Sequence, residues 1–364
     1  MPTILKKSFV LMLCCLISSD LYALVILQYH HIDTETPFST STSPDRFTDH
    51  LALIEASGAR VVRLEDAITR RNKLETQTEM DSGPHESSGG EALQVAITFD
   101  DAFISIFRTA FPLLKARGWP FTIFVAPDLV ETSAQYLTWD QLREMQRAGA
   151  TIANHSLAHE HLLRLKGRET DDDWMKRVSD NTQEAERQLT VQLGGSRPLL
   201  YALPYGEYQP LLIDRLHEMG YTIFGQQSGA TSRSYETPKV HPRFPMGGPY
   251  SALESFRTKL SSRPFPIPHR LLDPLLGHAE TRPSLSLHLP QSLTRTHGIN
   301  CFGPSGALPI EPVGEGQYLI QTPAMLPTGR SRYNCTLKAS DGRFYWYSQM
   351  WMRKLANNTW WEEP

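Results

Sequence analysis

A chain of 364 residues is long enough for one barrel-sized domain and a small companion. Its 36 Lys and Arg against 39 Asp and Glu leave a formal net charge of -3 with no basic cluster, which excludes the electrostatic footprint of a nucleic-acid binder. A hydrophobic content of 40% with 10% aromatics excludes a disordered chain.

At the N-terminus, Lys6 and Lys7 precede the apolar run from Phe9 to Ile17, and Leu21-Tyr22-Ala23 follows. This order reads as a secretory signal peptide over residues 1–23, because the run is short for a membrane span and Ala23 offers a small residue at the cleavage point. A retained anchor is the competing reading. Leu-Met-Leu before Cys14 and Cys15 lacks the small residues that lipid attachment wants. Export leaves Cys301 and Cys335, an even pair in an oxidising compartment, for which a disulfide is expected.

Leu24 to Tyr29 reads as a buried strand and Ser43 to Ala56 as a capped helix. From Arg70 to Glu91 the composition turns to Glu, Thr, Ser and Gly, so 70–91 is expected to be a flexible insertion. Strand-like and helix-like stretches then alternate: Leu93 to Phe99, Ile104 to Arg117, Phe121 to Val125, Thr138 to Ala148, Ala150 to Ala153, Thr170 to Leu193, Leu199 to Ala202, Leu211 to Met219 and Tyr221 to Gly225. Thr138 and Gln141 have capping-box spacing, and Gly149 ends that helix. The alternation predicts parallel α/β units with about seven strands, in a distorted (β/α) barrel; an open doubly wound sheet is the alternative. From Pro264 onward Pro- and Arg-rich connections lead to short β-like runs, Gln317 to Ile320 and Arg343 to Tyr347, which read as a small β-rich domain over 263–364. Trp346, Trp351, Trp360 and Trp361 lie there and suit either a small core or stacking on sugar rings.

The chemistry concentrates at strand ends. Val95 to Phe99 ends in the doublet Asp100-Asp101, and the strand before Asn154 ends in His155-Ser156-Leu157-Ala158-His159. Either motif alone has a bland reading, the aspartates as helix caps and each histidine as an ordinary hydrogen-bonded side chain. Together one carboxylate and two imidazoles make a ligand set suited to Zn²⁺ or a similar divalent ion, and a helical turn would bring histidines four apart to one side. In an α/β barrel such strand ends form the catalytic rim. The second aspartate is then free to act as a base.

These motifs identify the chain as similar to the polysaccharide deacetylase family, the NodB-homology carbohydrate esterases. Thr98-Phe99-Asp100-Asp101 resembles its first motif, His155 to His159 its second, and Leu203-Pro204-Tyr205-Gly206 the core of its third, with the likeness spanning Leu24 to Ser262. The resemblance implies that Asp101, His155 and His159 bind the metal, that Asp100 is the general base, and that the Tyr205 backbone N–H holds the oxyanion. It implies an acetylated polysaccharide as substrate and N-deacetylation of a GlcNAc-containing glycan as the reaction, while the signal peptide implies an exported bacterial protein, periplasmic, envelope-associated or secreted, and the charge balance implies no nucleic-acid partner. His241-Pro242-Arg243, Tyr205 to Tyr208, Tyr29-His30-His31-Ile32 and Ser39 to Arg46 resemble the subgroup acting on poly-β-1,6-N-acetylglucosamine.

Two departures stand out. The third motif lacks the arginine that many relatives carry, which leaves Arg243 as the candidate partner for Asp100. The Leu-x-x-His that supplies the general acid has no clear counterpart, and His241, His269 and His278 read better as surface histidines. Peptidoglycan, chitin oligomers or an O-acetylated glycan are alternative substrates. A weakly active polysaccharide-binding protein and a non-haem iron oxygenase are the alternatives from other classes; the doublet argues against the first and the ligand order against the second.

Overall fold

The computed structural model describes residues 23–69, 93–231, 238–265, 271–277, 279–290 and 298–362, together with 267 and 293. The expected signal segment up to residue 22, the insertion at 70–91, His269 and His278 lie outside the described residues.

Seven parallel strands follow one another in the order 244–245, 24–29, 94–99, 122–125, 151–154, 200–202 and 222–224, with Arg60–Val61 joined to the side of strand 94–99. They form the predicted distorted barrel. All six residues of Leu24–Tyr29 are buried, as a parallel strand covered on both faces requires. Side chains alternate between two cores. Leu24, Ile26, Ala96, Phe124, Ala153, Ala202 and Phe224 pack together in one, whereas Val25, Leu27, Val95, Ile97, Ile123 and Ile152 join the helix-facing residues Leu51, Ile54, Leu114 and Leu142 in the other. Period two therefore carries Gln28, Thr98 and Asp100 onto the face of Leu24, Ile26 and Ala96.

The barrel is drawn together by the antiparallel bridge between Leu24 and Thr231 and by the short segment 241–245. His241 bridges to Phe224 on the last strand, and three residues later Phe244 pairs with Leu27 on the first. Arg243 lies between these two contacts, at the seam. A two-residue strand has no periodicity to read, which is why sequence patterning passed over it.

The helices begin where their caps predict. Ser43 Oγ accepts from the Arg46 N–H ahead of Pro44–Ala56, and Thr138 and Thr170 both form capping boxes ahead of Trp139–Arg147 and Asp171–Leu193. The predicted helix from Ile104 contains a π-helical stretch, Ile106–Ala110, before the α-helix Phe111–Ala116. No helix among the described residues is long and apolar enough to cross a membrane.

His50, on the first helix, gives the fold a measurable pH response. It is buried, stacks on Phe256 with ring centroids 3.9 Å apart, and bridges the Tyr29 hydroxyl at 3.0 Å and the Ser251 carbonyl at 2.7 Å. The Tyr29 hydroxyl donates to Nδ1 while Nε2–H donates to the carbonyl, an arrangement only the neutral ring satisfies. Burial lowers its pKa from 6.5 to about 4. Between these values the unfolded chain binds more protons, so the stability contribution is complete above pH 6.5 and lost as pH falls to about 4. Urea unfolding across this window is expected to show a loss on the order of 2–3 kcal/mol that H50Q flattens. Equal slopes in both proteins would remove His50 as the cause.

The C-terminal region is β-rich, as expected. One sheet orders strands 263–264, 344–353, 329–338, 299–303 and 306–307, and a second orders 284–288, 317–321 and 310–314. Cys301 and Cys335 face each other across paired strands and are joined in a disulfide. Most of the aromatic side chains serve packing: Tyr333, Tyr347 and Trp351 sit in the local core, and Trp346 meets Phe244 of the barrel edge-on. Met350, Met352 and Trp361 share a core with Tyr208, Leu212 and Leu216, so this region packs directly on the barrel.

Candidate active site

Asp100 remains tied to the sheet, its N–H donating to the Tyr29 carbonyl at 2.9 Å. The chain then turns through two left-handed residues, Asp101 at φ 70° and Ala102 at φ 55°. The turn is fastened by Leu137 N–H to the Ala102 carbonyl at 2.9 Å and Ile104 N–H to the Gln135 carbonyl at 2.7 Å. This reversal gives adjacent carboxylates different surroundings. Of the seven non-glycine residues with positive φ among the described residues, four lie in the three motifs, Asp101, Ser156, His159 and Tyr205, and Ala102 directly follows the first. Such conformations cost energy and persist where neighbours over-determine them, a pattern concentrated at functional sites.

The segment 155–159 is not the helical turn expected from its spacing. Ser156 and His159 are left-handed, and the loop is held by side chains: Asn154 Oδ1 accepts from Ser156 N–H at 3.0 Å, Asn181 Oδ1 from Leu157 N–H at 3.1 Å, and Glu160 Oε2 from Ala158 N–H at 3.2 Å. Side-chain oxygens, one of them on the helix 171–193, thus take the backbone donors that a helical turn would have paired. The imidazoles still converge. His155 Nε2 and His159 Nε2 each lie 3.2 Å from Asp101 Oδ1, and the three residues form a compact group able to hold an ion.

The donor set fits a divalent metal by its own chemistry. His155 Nδ1 is 2.8 Å from the Ala202 carbonyl, which fixes the Nδ1–H tautomer and leaves a lone pair on Nε2. That Nε2 and Asp101 Oδ1 are both buried without a hydrogen-bond partner, a costly state for polar atoms unless a cation lies between them.

Asp100 is fully buried and faces a different set of groups. Arg243 donates from Nη1 to Oδ1 at 2.7 Å and from Nη2 to Oδ2 at 2.8 Å, while Gln28 Nε2 donates to Oδ2 at 2.6 Å. Arg243 is itself anchored by Nε–H to the Gly225 carbonyl at 2.8 Å and lies over the Phe124 ring. Burial alone would raise the Asp100 carboxyl; the Arg243 guanidinium, with His155 and His30, brings it below its ordinary value, so it is ionised at neutral pH.

Tyr205, at φ 57° and ψ 0°, forms the third side, its ring 4.4 Å from that of His159 and stacked on His161 at 3.8 Å. All six residues named from the sequence thus meet at the rim where strands 94–99, 151–154 and 200–202 end.

Gln28 and His30 were not assigned roles from the sequence. His30 Nε2 stands 3.9 Å from Asp100 Oδ2 with its side chain 15% exposed. Its place just beyond a buried strand was the available signal. His241, expected on the surface, is 3% exposed: it sits in the seam, stacked on Phe224 and 3.2 Å from the Thr231 hydroxyl.

The parallel barrel thus carries at its rim an aspartate-histidine cluster and a second, arginine-held aspartate. Residues 89–224 match the family described as polysaccharide deacetylase, and this chain carries a domain of that family. YxkH of Bacillus subtilis, a protein named for the same family, is 25% identical over 219 residues, 60% of this chain and 70% of its own length. The poly-β-1,6-N-acetyl-D-glucosamine N-deacetylase of Escherichia coli K12 is 23% identical over 173 residues, 37% of this chain but only 26% of that protein. The structure of IcaB from Ammonifex degensii superposes with a TM-score of 0.53 at 21% identity, covering 66% of this chain and 97% of that one.

Proposed function

We propose that this protein is an exported, metal-dependent N-deacetylase of a GlcNAc-containing polysaccharide, with poly-β-1,6-N-acetylglucosamine as the preferred substrate. The observation that carries the reading is the division of labour within the doublet: Asp101 faces two imidazoles, and Asp100 faces an arginine. The relative from Escherichia coli supports the linkage, and the sequence of residues 1–23 supports export.

Asp101, His155 and His159 would hold the ion, most simply Zn²⁺, which supplies Lewis acidity to the attacking water and the acetyl carbonyl. Asp100 accepts the proton of the attacking water, its carboxylate oriented by Arg243 and Gln28. The Tyr205 N–H donates to the developing oxyanion. His30, the imidazole nearest the base, hands a proton to the departing nitrogen as the C–N bond breaks. The products are acetate and a free amine.

Acetate release from β-1,6- and β-1,4-linked GlcNAc oligomers tests substrate and reaction together. The β-1,6 oligomer is expected to be turned over at least about tenfold faster in kcat/KM. Equal rates would reassign the linkage, and no acetate from either would end the N-deacetylase assignment.

A further inference from the structure

The C-terminal β-rich region reaches the active-site rim through one side chain. Arg330, the second residue of strand 329–338, donates from Nη1 to Glu207 Oε1 at 2.9 Å, and its guanidinium carbon lies 5.0 Å from the centroid of the Tyr205 ring. Glu207 is 3% exposed, and its other oxygen, Oε2, is 3.0 Å from His161 Nδ1. His161 covers the same Tyr205 ring, with planes 7° apart. The ring next to metal-site His159 is therefore gripped by an imidazole and a guanidinium that one buried carboxylate ties together.

The grip is itself supported from the C-terminal side. Arg330 also lies over Trp361, itself 9% exposed, and a Cβ at Gly329, where φ is +100°, would touch that indole at 3.9 Å. Two residues further along the same strand, Arg332 Nη2 donates to Gln226 Oε1 at 3.3 Å. Gln226 in turn backs the Gly206 turn so closely that a Cβ there would lie 2.8 Å from it. Both contacts converge on Gly206 and Glu207, which follow the left-handed Tyr205 in the same turn.

We propose that Arg330 is a positioning residue for deacetylation and that the C-terminal sheet is part of the catalytic apparatus, clamping the Tyr205 turn through ring and carboxylate. This rests on the deacetylase reading above. Because the clamp acts on the group that meets the transition state, its loss acts on turnover more than on substrate binding.

The test compares R330Q and R330K with the wild-type chain, using β-1,6-linked GlcNAc oligomers, metal analysis, thermal unfolding and a site-specific 3-fluorotyrosine at position 205. In R330Q, kcat is expected to fall about 10- to 100-fold with KM within about threefold, the metal retained and the fluorine signal shifted or broadened. R330K, which keeps the charge on Glu207, is expected to recover much of the rate. Unchanged kcat, an unmoved fluorine signal, metal loss, or no recovery in R330K would overturn the clamp. Should R330Q fail to fold, R330K decides: its fluorine signal and kcat must lie measurably away from wild type. If the wild-type chain releases no acetate, the deacetylase reading fails on its own, and the fluorine comparison alone decides whether Arg330 holds the turn.

Discussion

Asp100→Asn is expected to lower kcat about 10³-fold while leaving the metal content of the purified protein unchanged. The substitution keeps the shape of the side chain and one oxygen for Arg243 and Gln28, so the seam stays filled. What it removes is the ability to take a proton. Asp101, by contrast, lies 3.2 Å from both imidazoles, and on the proposed reading its loss would cost the metal a ligand. Measuring turnover and metal content on the same preparation separates these roles. Parallel loss of both in D100N would make Asp100 a ligand and reverse the assignment of the doublet.

Arg243→Met is expected to destabilise the fold by about 3–5 kcal/mol and to abolish turnover. Both side chains of the pair are 0% exposed, so removing the guanidinium leaves a buried carboxylate with Gln28 as its remaining neutral donor. The contact from Nε–H to Gly225 and the packing on Phe124 disappear with it. A double-mutant cycle separates charge from packing. If the unpaired carboxylate dominates, adding D100N to R243M recovers a large part of the lost stability in urea unfolding. If R243M and the double variant unfold at the same urea concentration, the loss is one of packing at the seam.

The barrel was legible because its signals are strong and local. Buried runs such as Leu24 to Tyr29, the capping box at Thr138 and Gly149 at the end of that helix each fix an element without reference to the rest of the chain. The convergence of Asp101, His155 and His159 was legible for a related reason: strand ends announce the rim, and these residues follow such ends. The conformation of 155–159 was not, because spacing of four fits a helical turn and a strained loop alike, and Asn181, which settles the matter, lies on a distant helix. His241 was misread as exposed because a polar residue between short apolar pieces carries no sign of the seam it fills. Gln28 and His30 were visible but unassigned; only the register of Leu24–Tyr29 against Gln94–Phe99 brings them to the doublet. The grip of Arg330 on Tyr205 joins residues more than a hundred positions apart, beyond any pattern read along a single chain.

The seam at residues 241–245 also sets an order of assembly. Asp100 and Arg243 are 143 positions apart, so Asp100 gains its arginine partner only after the chain has wound through every other barrel strand and returned to the first. Closing so long a loop is among the slower events of folding. Asp101, His155 and His159 lie much nearer to one another in sequence and can come together before that. On the function proposed above, a folding chain in which Asp101, His155 and His159 have met but Asp100 still lacks Arg243 would be only half of a catalyst, and hydrolytic competence would be one of the last consequences of closure.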